Sequence, residues 1–190
     1  GTDAVFSRLI PKMVVRSDNE QEISRILSLS GKYHIPLTFR AAGTSLSGQS
    51  ISDSVLVVAG KNWESYSVSS TGDRITLQPG LTGGRVNEIL KPYGRKFAPD
   101  PASVKSAMVG GIIANNASGM NCGTHANSDK VMLSARIILS DGTILDTGDE
   151  KSRHDFIHSH PEFIQKIESV RDRIRKDSEL VSRIRRKYSI

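Results

Sequence analysis

Two short stretches concentrate residues able to grip an anion. The first is Arg40-Ala41-Ala42-Gly43-Thr44-Ser45-Leu46-Ser47-Gly48-Gln49, in which six of ten residues are Gly, Ala or Ser. Small side chains let the main chain approach a ligand closely. Consecutive N–H groups in such a loop form an anion-binding concavity, and the Thr44, Ser45 and Ser47 hydroxyls add donors. A flexible surface turn after a strand would show the same composition. The second stretch, Val109-Gly110-Gly111-Ile112-Ile113-Ala114-Asn115-Asn116-Ala117-Ser118-Gly119-Met120-Asn121, follows a rigid polar approach, Pro99-Asp100-Pro101-Ala102-Ser103. Its apolar residues can pin a loop while its amides stay free to meet phosphate oxygens, and Asn115 and Asn116 tolerate left-handed angles. The bland alternative is a tightly packed internal helix that needs small residues, and two adjacent asparagines weigh against it.

Commoner motifs fail on spacing. None of the sixteen glycines has another two positions away, so the dinucleotide fingerprint of the ordinary Rossmann fold is absent. Gly43 and Gly48 have Walker-A spacing, but Gln49 stands where the phosphate-binding lysine must be. A nucleophile elbow around Ser45 would need glycine at Ser47. Ser17-Asp18-Asn19 matches a β-lactamase triplet, yet no serine stands three residues before a lysine, and the triplet reads better as a helix cap.

Three smaller signals are weighed down. His154-Asp155-Phe156-Ile157-His158 is one substitution from the zinc-protease pattern, but aspartate is shorter than the usual glutamate base and no third ligand is evident. Two histidines on an exposed helical turn, and no metal, are expected. Cys122 has no partner cysteine and no strongly electropositive neighbour in sequence, so it reads as a small packed residue. Residues 151–190 hold eleven Lys or Arg against six Asp or Glu, a net charge of +5, while residues 1–150 carry only +1. Interleaved Glu168, Asp172, Asp177 and Glu179 point to a solvated helix with internal ion pairs. Aromatic residues for base stacking are not interleaved there, so no nucleic-acid partner is expected.

The elements that must position the two stretches follow from patterning. Lys12–Val15 reads as a strand, and Ser17-Asp18-Asn19-Glu20 has capping-box spacing, with the Ser17 hydroxyl reaching the Glu20 amide. Ile23, Ile26 and Leu27 then mark a helix that Gly31 can stop, and Pro36–Arg40 resumes as strand. This β-α-β unit delivers Arg40 to the carboxyl end of a strand, a favoured ligand position. Val55–Ala59 is an apolar strand. Trp63–Ser69 and Arg74–Gln78 form a hairpin across Thr71-Gly72-Asp73. Thr82–Lys91 is a short helix with Val86, Ile89 and Leu90 inward, stopped by Pro92. Val131–Leu139 and Thr143–Asp146 make a second hairpin across Asp141-Gly142. Beyond Gly148 the character turns helical, with Pro161 as a first helical residue and Phe163, Ile164, Ile167 and Val170 as an amphipathic stripe.

A length of 190 residues with 37% hydrophobic and 24% charged content fits one large domain or two small lobes. No apolar run approaches the about 20 residues that cross a bilayer. A single cysteine excludes an internal disulfide and fits a cytoplasmic setting. The chain opens on Gly1 and stops at Ile190 inside a helix-like segment, so both ends are expected to be cut from a longer protein.

Taken together, Arg40 through Gly48, Pro99-Asp100-Pro101 and Gly110 through Gly119 resemble the FAD-linked oxidase family typified by vanillyl-alcohol oxidase, whose FAD-binding domain is of the PCMH type. Within it the sequence looks most similar to D-lactate and glycolate dehydrogenases, over about Pro11 to Gly148. The Ser140-Asp141-Gly142 turn after Ile137-Ile138-Leu139 also fits. The resemblance implies an α+β fold of two lobes, about 1–60 and 61–148, with FAD between them. Residues 149–190 would be the helical start of an absent cap and substrate domain.

By that resemblance the pyrophosphate is cradled by Arg40, Ala42, Gly43, Thr44, Ser45, Leu46, Ser47, Gly48 and Gln49 of the first loop. Pro99, Asp100, Gly110, Gly111, Ala114, Asn115, Asn116, Ser118 and Gly119 serve from the second, and Ile137 and Ile138 offer backbone to the cofactor. Many relatives attach FAD through a histidine in the first loop; Thr44 holds that position here, so FAD is expected to be non-covalent. Cys122 stands where relatives often carry an aromatic residue. No residue of this chain is assigned as general base, because the resemblance puts base and substrate residues on the absent cap. The expected parent is a dehydrogenase oxidising a small D-2-hydroxy acid by hydride transfer to FAD. An iron–sulfur partner domain and peripheral contact with the inner membrane face stay open. Alternatives are an aldonolactone or ether-lipid oxidase of the same fold, or a non-catalytic nucleotide-binding module.

Overall fold

The computed structural model describes residues 8–59, 62–123 and 125–188. The expected ends at Gly1 and Ile190, and residues 60 and 61 at the expected lobe boundary, lie outside the described residues. Strands β1 (Met13–Ser17), β2 (Leu37–Arg40) and β3 (Val55–Ala59) form a parallel sheet in the order β1-β3-β2. Helix α1 (Glu20–Tyr33) joins β1 to β2, the crossover that parallel strands of one sheet require. The most apolar strand takes the centre: Leu56 and Val57 are 5% and 1% exposed, with Val15 and Phe39 in register with Val57 on either side. Successive side chains point to opposite faces, so burial of both Leu56 and Val57 marks a strand covered on both faces, which reads as a continuous apolar run.

The helix is capped two residues later than the sequence pattern suggests. Asn19 is the N-cap; its Oδ1 accepts from the Glu22 N–H at 2.9 Å, and the Glu22 carboxylate accepts from the Asp18 N–H at 2.9 Å. Ser17 is drawn away because it ends β1 fully buried. Its carbonyl accepts from the Trp63 indole at 2.7 Å, and its hydroxyl donates to the Asn19 carbonyl. Nor does Gly31 stop α1, which runs to Tyr33 and closes on His34 in the left-handed region at φ 54°. Pro36, two residues on, forbids further helix.

Strands β4 (Tyr66–Val68) and β5 (Ile75–Leu77) make the expected antiparallel hairpin, shorter than its apolar pattern. Helix α2 (Gly83–Leu90) starts at Thr82, whose hydroxyl accepts from the Arg85 N–H, and a 3-10 turn through Pro92 ends it. Val86 and Leu90 enter a core with Leu81, Phe97, Val109 and Ile112. Burial of such a side chain contributes about 1.5–3 kcal/mol, so this cluster is the anchor of the second loop.

Helices α3 (Val109–Ala114) and α4 (Ser128–Val131) follow, then strands β6 (Arg136–Ile138) and β7 (Ile144–Asp146), which pair as a two-stranded sheet. Val131 therefore ends a helical turn rather than opening a strand. That turn is pinned by Ser128, whose hydroxyl donates to the Ile112 carbonyl, and by the Asp129 N–H, which donates to Asn116 Oδ1 at 3.0 Å. The Asp141-Gly142 turn docks on α1, where the Ser24 hydroxyl donates to the Gly142 carbonyl.

Two compact units result: residues up to Met132 with Ile138–Ile144, and Leu133–Ile137 with residues from Leu145 onward. In the second, α5 (Glu150–Ser159), α6 (Pro161–Lys176) and α7 (Ser178–Lys187) succeed one another. Phe156 is buried between the His160 ring, stacked at 4.4 Å, and the Phe163 ring at 5.8 Å. Arg171 pairs with Glu168 and Asp172 on α6, as expected of a solvated basic helix. His154 and His158 lie side by side on α5 with ring centroids 4.1 Å apart. Among the described residues no helix is long and apolar enough to cross a membrane.

Candidate cofactor site

The first loop leaves the end of β2 and folds back on itself. Arg40 holds the fold: its Nη1 donates to the Ser50 carbonyl at 3.0 Å, and its guanidinium lies so close to Gly43 that a Cβ there would meet Nη2 at 2.1 Å. Gly43 and Gly48 sit at φ 72° and 77°, a region open to glycine at little cost. Among the described residues, the N–H groups of Gly43, Thr44, Ser45, Leu46 and Gly48 meet no protein acceptor. The Ser50 Oγ, one residue past the stretch read from sequence, is buried without a partner among them. A half-buried turn with these donors open and one hydroxyl orphaned can receive acceptor oxygens.

The second stretch differs from a free loop. Its first half is helix α3, and the Val109 and Gly110 amides donate to the Leu81 and Pro79 carbonyls. Gly110 thus serves close packing: a Cβ there would stand 2.8 Å from Pro79 Cβ. Gly111 faces the first loop, where a Cβ would lie 3.6 Å from Ala41 Cβ. Ala114 closes the exposed end of the helix and Asn115 caps it, with Asn115 Nδ2 donating to the Gly111 carbonyl at 3.0 Å. Asn116 adopts φ 44°, a left-handed angle of the kind that asparagine tolerates. The helix forms because Val109 and Ile112 are both buried in the α2 core, a period that suits a helix.

One chain of hydrogen bonds ties the two stretches together. The Ser45 hydroxyl donates to Gln49 Oε1, Gln49 Nε2 donates to Asn115 Oδ1 at 3.3 Å, and Asn115 reaches Gly111. The Ser45 hydroxyl is therefore engaged within the protein, leaving its main-chain N–H open. Ser47 donates its N–H to that hydroxyl, and the exposed Leu46 stands at the turn.

Pro99 is fully buried, and Asp100 joins the tail of the second stretch. Its Oδ2 accepts from Lys96 Nζ and from Asn121 Nδ2, each at 2.7 Å. Those two donors, Lys96 foremost, hold the Asp100 carboxyl below the usual carboxylate range. Gly119 rests on the Asp100 carbonyl, where a Cβ would stand at 1.7 Å. Ser118 is exposed beside it, and the buried Cys122 Sγ accepts from the Gly119 N–H at 2.9 Å. Ile137 and Ile138 lie on β6, and the division into units falls between them. Lys96 and Ser50 escaped the sequence reading. The i,i+4 spacing of Lys96 and Asp100 was a usable signal for the first; nothing local marked the second.

These residues fit FAD: an anionic pyrophosphate needs close main-chain approach and open N–H donors, and the first loop supplies both. Comparison with known proteins agrees. Residues 11–148 match the model of a family of FAD binding domains. The chain is 28% identical over 145 residues to glycolate oxidase subunit GlcD of Escherichia coli, covering 75% of this chain and 29% of that protein. It is 29% identical over 150 residues to D-2-hydroxyglutarate dehydrogenase of Haemophilus influenzae, covering 77% of the chain and 15% of the relative. The corresponding figures for D-lactate dehydrogenase of Archaeoglobus fulgidus are 28% over 137 residues, 72% and 31%. The chain thus spans less than a third of the length of these relatives. Among solved structures, 6-hydroxy-D-nicotine oxidase from Arthrobacter nicotinovorans superposes with a TM-score of 0.68 at 15% identity, over 80% of this chain and 33% of that one. The α+β fold is that of a PCMH-type FAD-binding domain, its cofactor is FAD, and the chain belongs to the family of FAD binding domains.

Proposed function

We propose that this chain is the FAD-holding part of a flavin dehydrogenase that oxidises a small D-2-hydroxy acid of the D-lactate or glycolate kind. The observation that carries the reading is the Gln49–Asn115 contact, which ties a turn of open N–H groups to the second stretch. In this reading the amides of Gly43, Thr44, Ser45, Leu46 and Gly48 bind the pyrophosphate, with Arg40 lending positive charge from within the loop. Asn115, Asn116 and Ser118 bound the site from the other side, and Gly110, Gly111 and Gly119 let the main chains approach. When bound, FAD supplies a hydride acceptor. The chain's own residues hold and orient it. Thr44 offers no imidazole for a covalent link, so the cofactor is held non-covalently.

The substrate class rests on the glycolate, D-lactate and D-2-hydroxyglutarate relatives. The FAD domain would end near Gly148, with α5, α6 and α7 leading to a cap that carries base and substrate residues. A cytoplasmic setting, with or without peripheral contact at the inner membrane face, goes with that reading. The test is reduction of the flavin in the full-length protein by a panel of D- and L-2-hydroxy acids. Bleaching of the oxidised-flavin band by D-lactate, glycolate or D-2-hydroxyglutarate is expected, and bleaching only by lactones or sugars would overturn the substrate class. Residues 1–190 alone should bind FAD and sustain no turnover.

A further inference from the structure

We infer that Asp100 is a positioning residue for the cofactor: it holds the Ser118–Asn121 tail through Asn121 and touches no part of FAD itself. This rests on the reading that the second stretch borders the cofactor. A carboxylate is a poor ligand for a pyrophosphate, since two anions at close range repel. The side chain of Asp100 is 9% exposed, and the same oxygen accepts from Lys96 and Asn121. Its carbonyl is the floor beneath Gly119, which no larger residue could occupy without moving main chain. Side chain and main chain of one residue thus set the path of the tail at two points. Lys96, 56% exposed, neutralises the carboxylate from the solvent side.

Charge and position predict opposite signs. If Asp100 acted on FAD by charge alone, removing it would tighten binding, and the released Lys96 would add to the gain. If it positions the tail, removing it weakens binding. The experiment is fluorescence titration of FAD onto residues 1–190 carrying D100A, N121A, both, or D100N. Each single alanine variant is expected to weaken FAD about tenfold, and the double variant to be no weaker than either, because both break one contact. D100N keeps an acceptor for Asn121 and should stay within about threefold of the parent chain.

Unchanged or tighter binding by D100A would overturn the inference. So would a double variant about a hundredfold weaker, or a D100N as weak as D100A. Should D100A fail to fold, the exposed N121A decides alone: weaker FAD with an unchanged apo Tm supports positioning, and unchanged FAD affinity overturns it. If the parent chain itself takes up no FAD, the cofactor reading fails first. Hydrogen exchange at Gly119 and Cys122 then still tests the tail, with faster exchange in N121A expected and unchanged exchange contradicting it.

Discussion

Gln49 and Asn115 lie 66 residues apart in sequence, yet their side-chain amides meet at 3.3 Å and join the two stretches proposed to hold the cofactor. Each end is fixed by a further bond, Ser45 to Gln49 on one side and Asn115 to Gly111 on the other. With donors and acceptors matched along the chain, the spacing of the loops is set before a ligand arrives. A site already in its binding geometry loses less ordering entropy on binding.

Cutting that connection should therefore cost affinity more than stability. Both side chains are exposed, so Q49A should leave the unfolding midpoint nearly unchanged. One hydrogen bond contributes about 1 kcal/mol, which predicts FAD binding about three- to tenfold weaker. Fluorescence titration beside a denaturant curve checks both halves; equal affinity would contradict the role given to Gln49.

Two glycines should answer alanine in opposite ways. At Gly119 the added Cβ would stand 1.7 Å from the Asp100 carbonyl, so G119A should destabilise by about 1–3 kcal/mol. At Gly111 it would stand 3.6 Å from Ala41, an ordinary contact, and alanine suits a helix better. G111A should therefore fold at least as well as the parent. Urea unfolding of the pair distinguishes the sites, and equal losses would contradict the packing described.

Asn116 separates backbone strain from side-chain bonding. Both N116A and N116G lose the acceptor for the Asp129 N–H, but only alanine bears the strain of φ 44°. N116A should be less stable than N116G by about 1 kcal/mol. Denaturant midpoints measure the difference, and equal values would show that the left-handed angle is not kept in solution.

Acid should act on Asp100 with a definite sign. Its folded-state value lies below the ordinary carboxylate value of about 3.9, because Lys96 and Asn121 donate to the charged form. The contribution is then whole at neutral pH, begins to fade near that ordinary value, and is lost as pH falls through the lower folded value. D100N should be less stable than the parent at pH 7, with the gap closing in strong acid. A gap independent of pH would contradict the ion pair.

The sheet and the turn of the first loop were legible because each is written locally. The apolar run Val55–Ala59 became the central strand, Thr82 capped its helix, and the glycines of the first stretch took the angles its composition demands. The misplaced boundaries have tertiary causes. Trp63, 46 residues on, engages the Ser17 carbonyl and shifts the cap to Asn19. Burial of Val109 and Ile112 turns half the second stretch into α3. Most of the site's cohesion was illegible for the same reason: Gln49–Asn115 and Asp100–Asn121 join segments that no sequence window contains together.

FAD held by these loops without a covalent bond is the proposed state of the protein. Its most direct test is the absorbance spectrum of the purified chain after incubation with FAD and desalting, followed by acid precipitation. A flavin band that travels with the protein and is released by acid as intact FAD is the predicted result. A colourless protein with all FAD in the salt fraction, or flavin that stays with the acid pellet, would contradict the account.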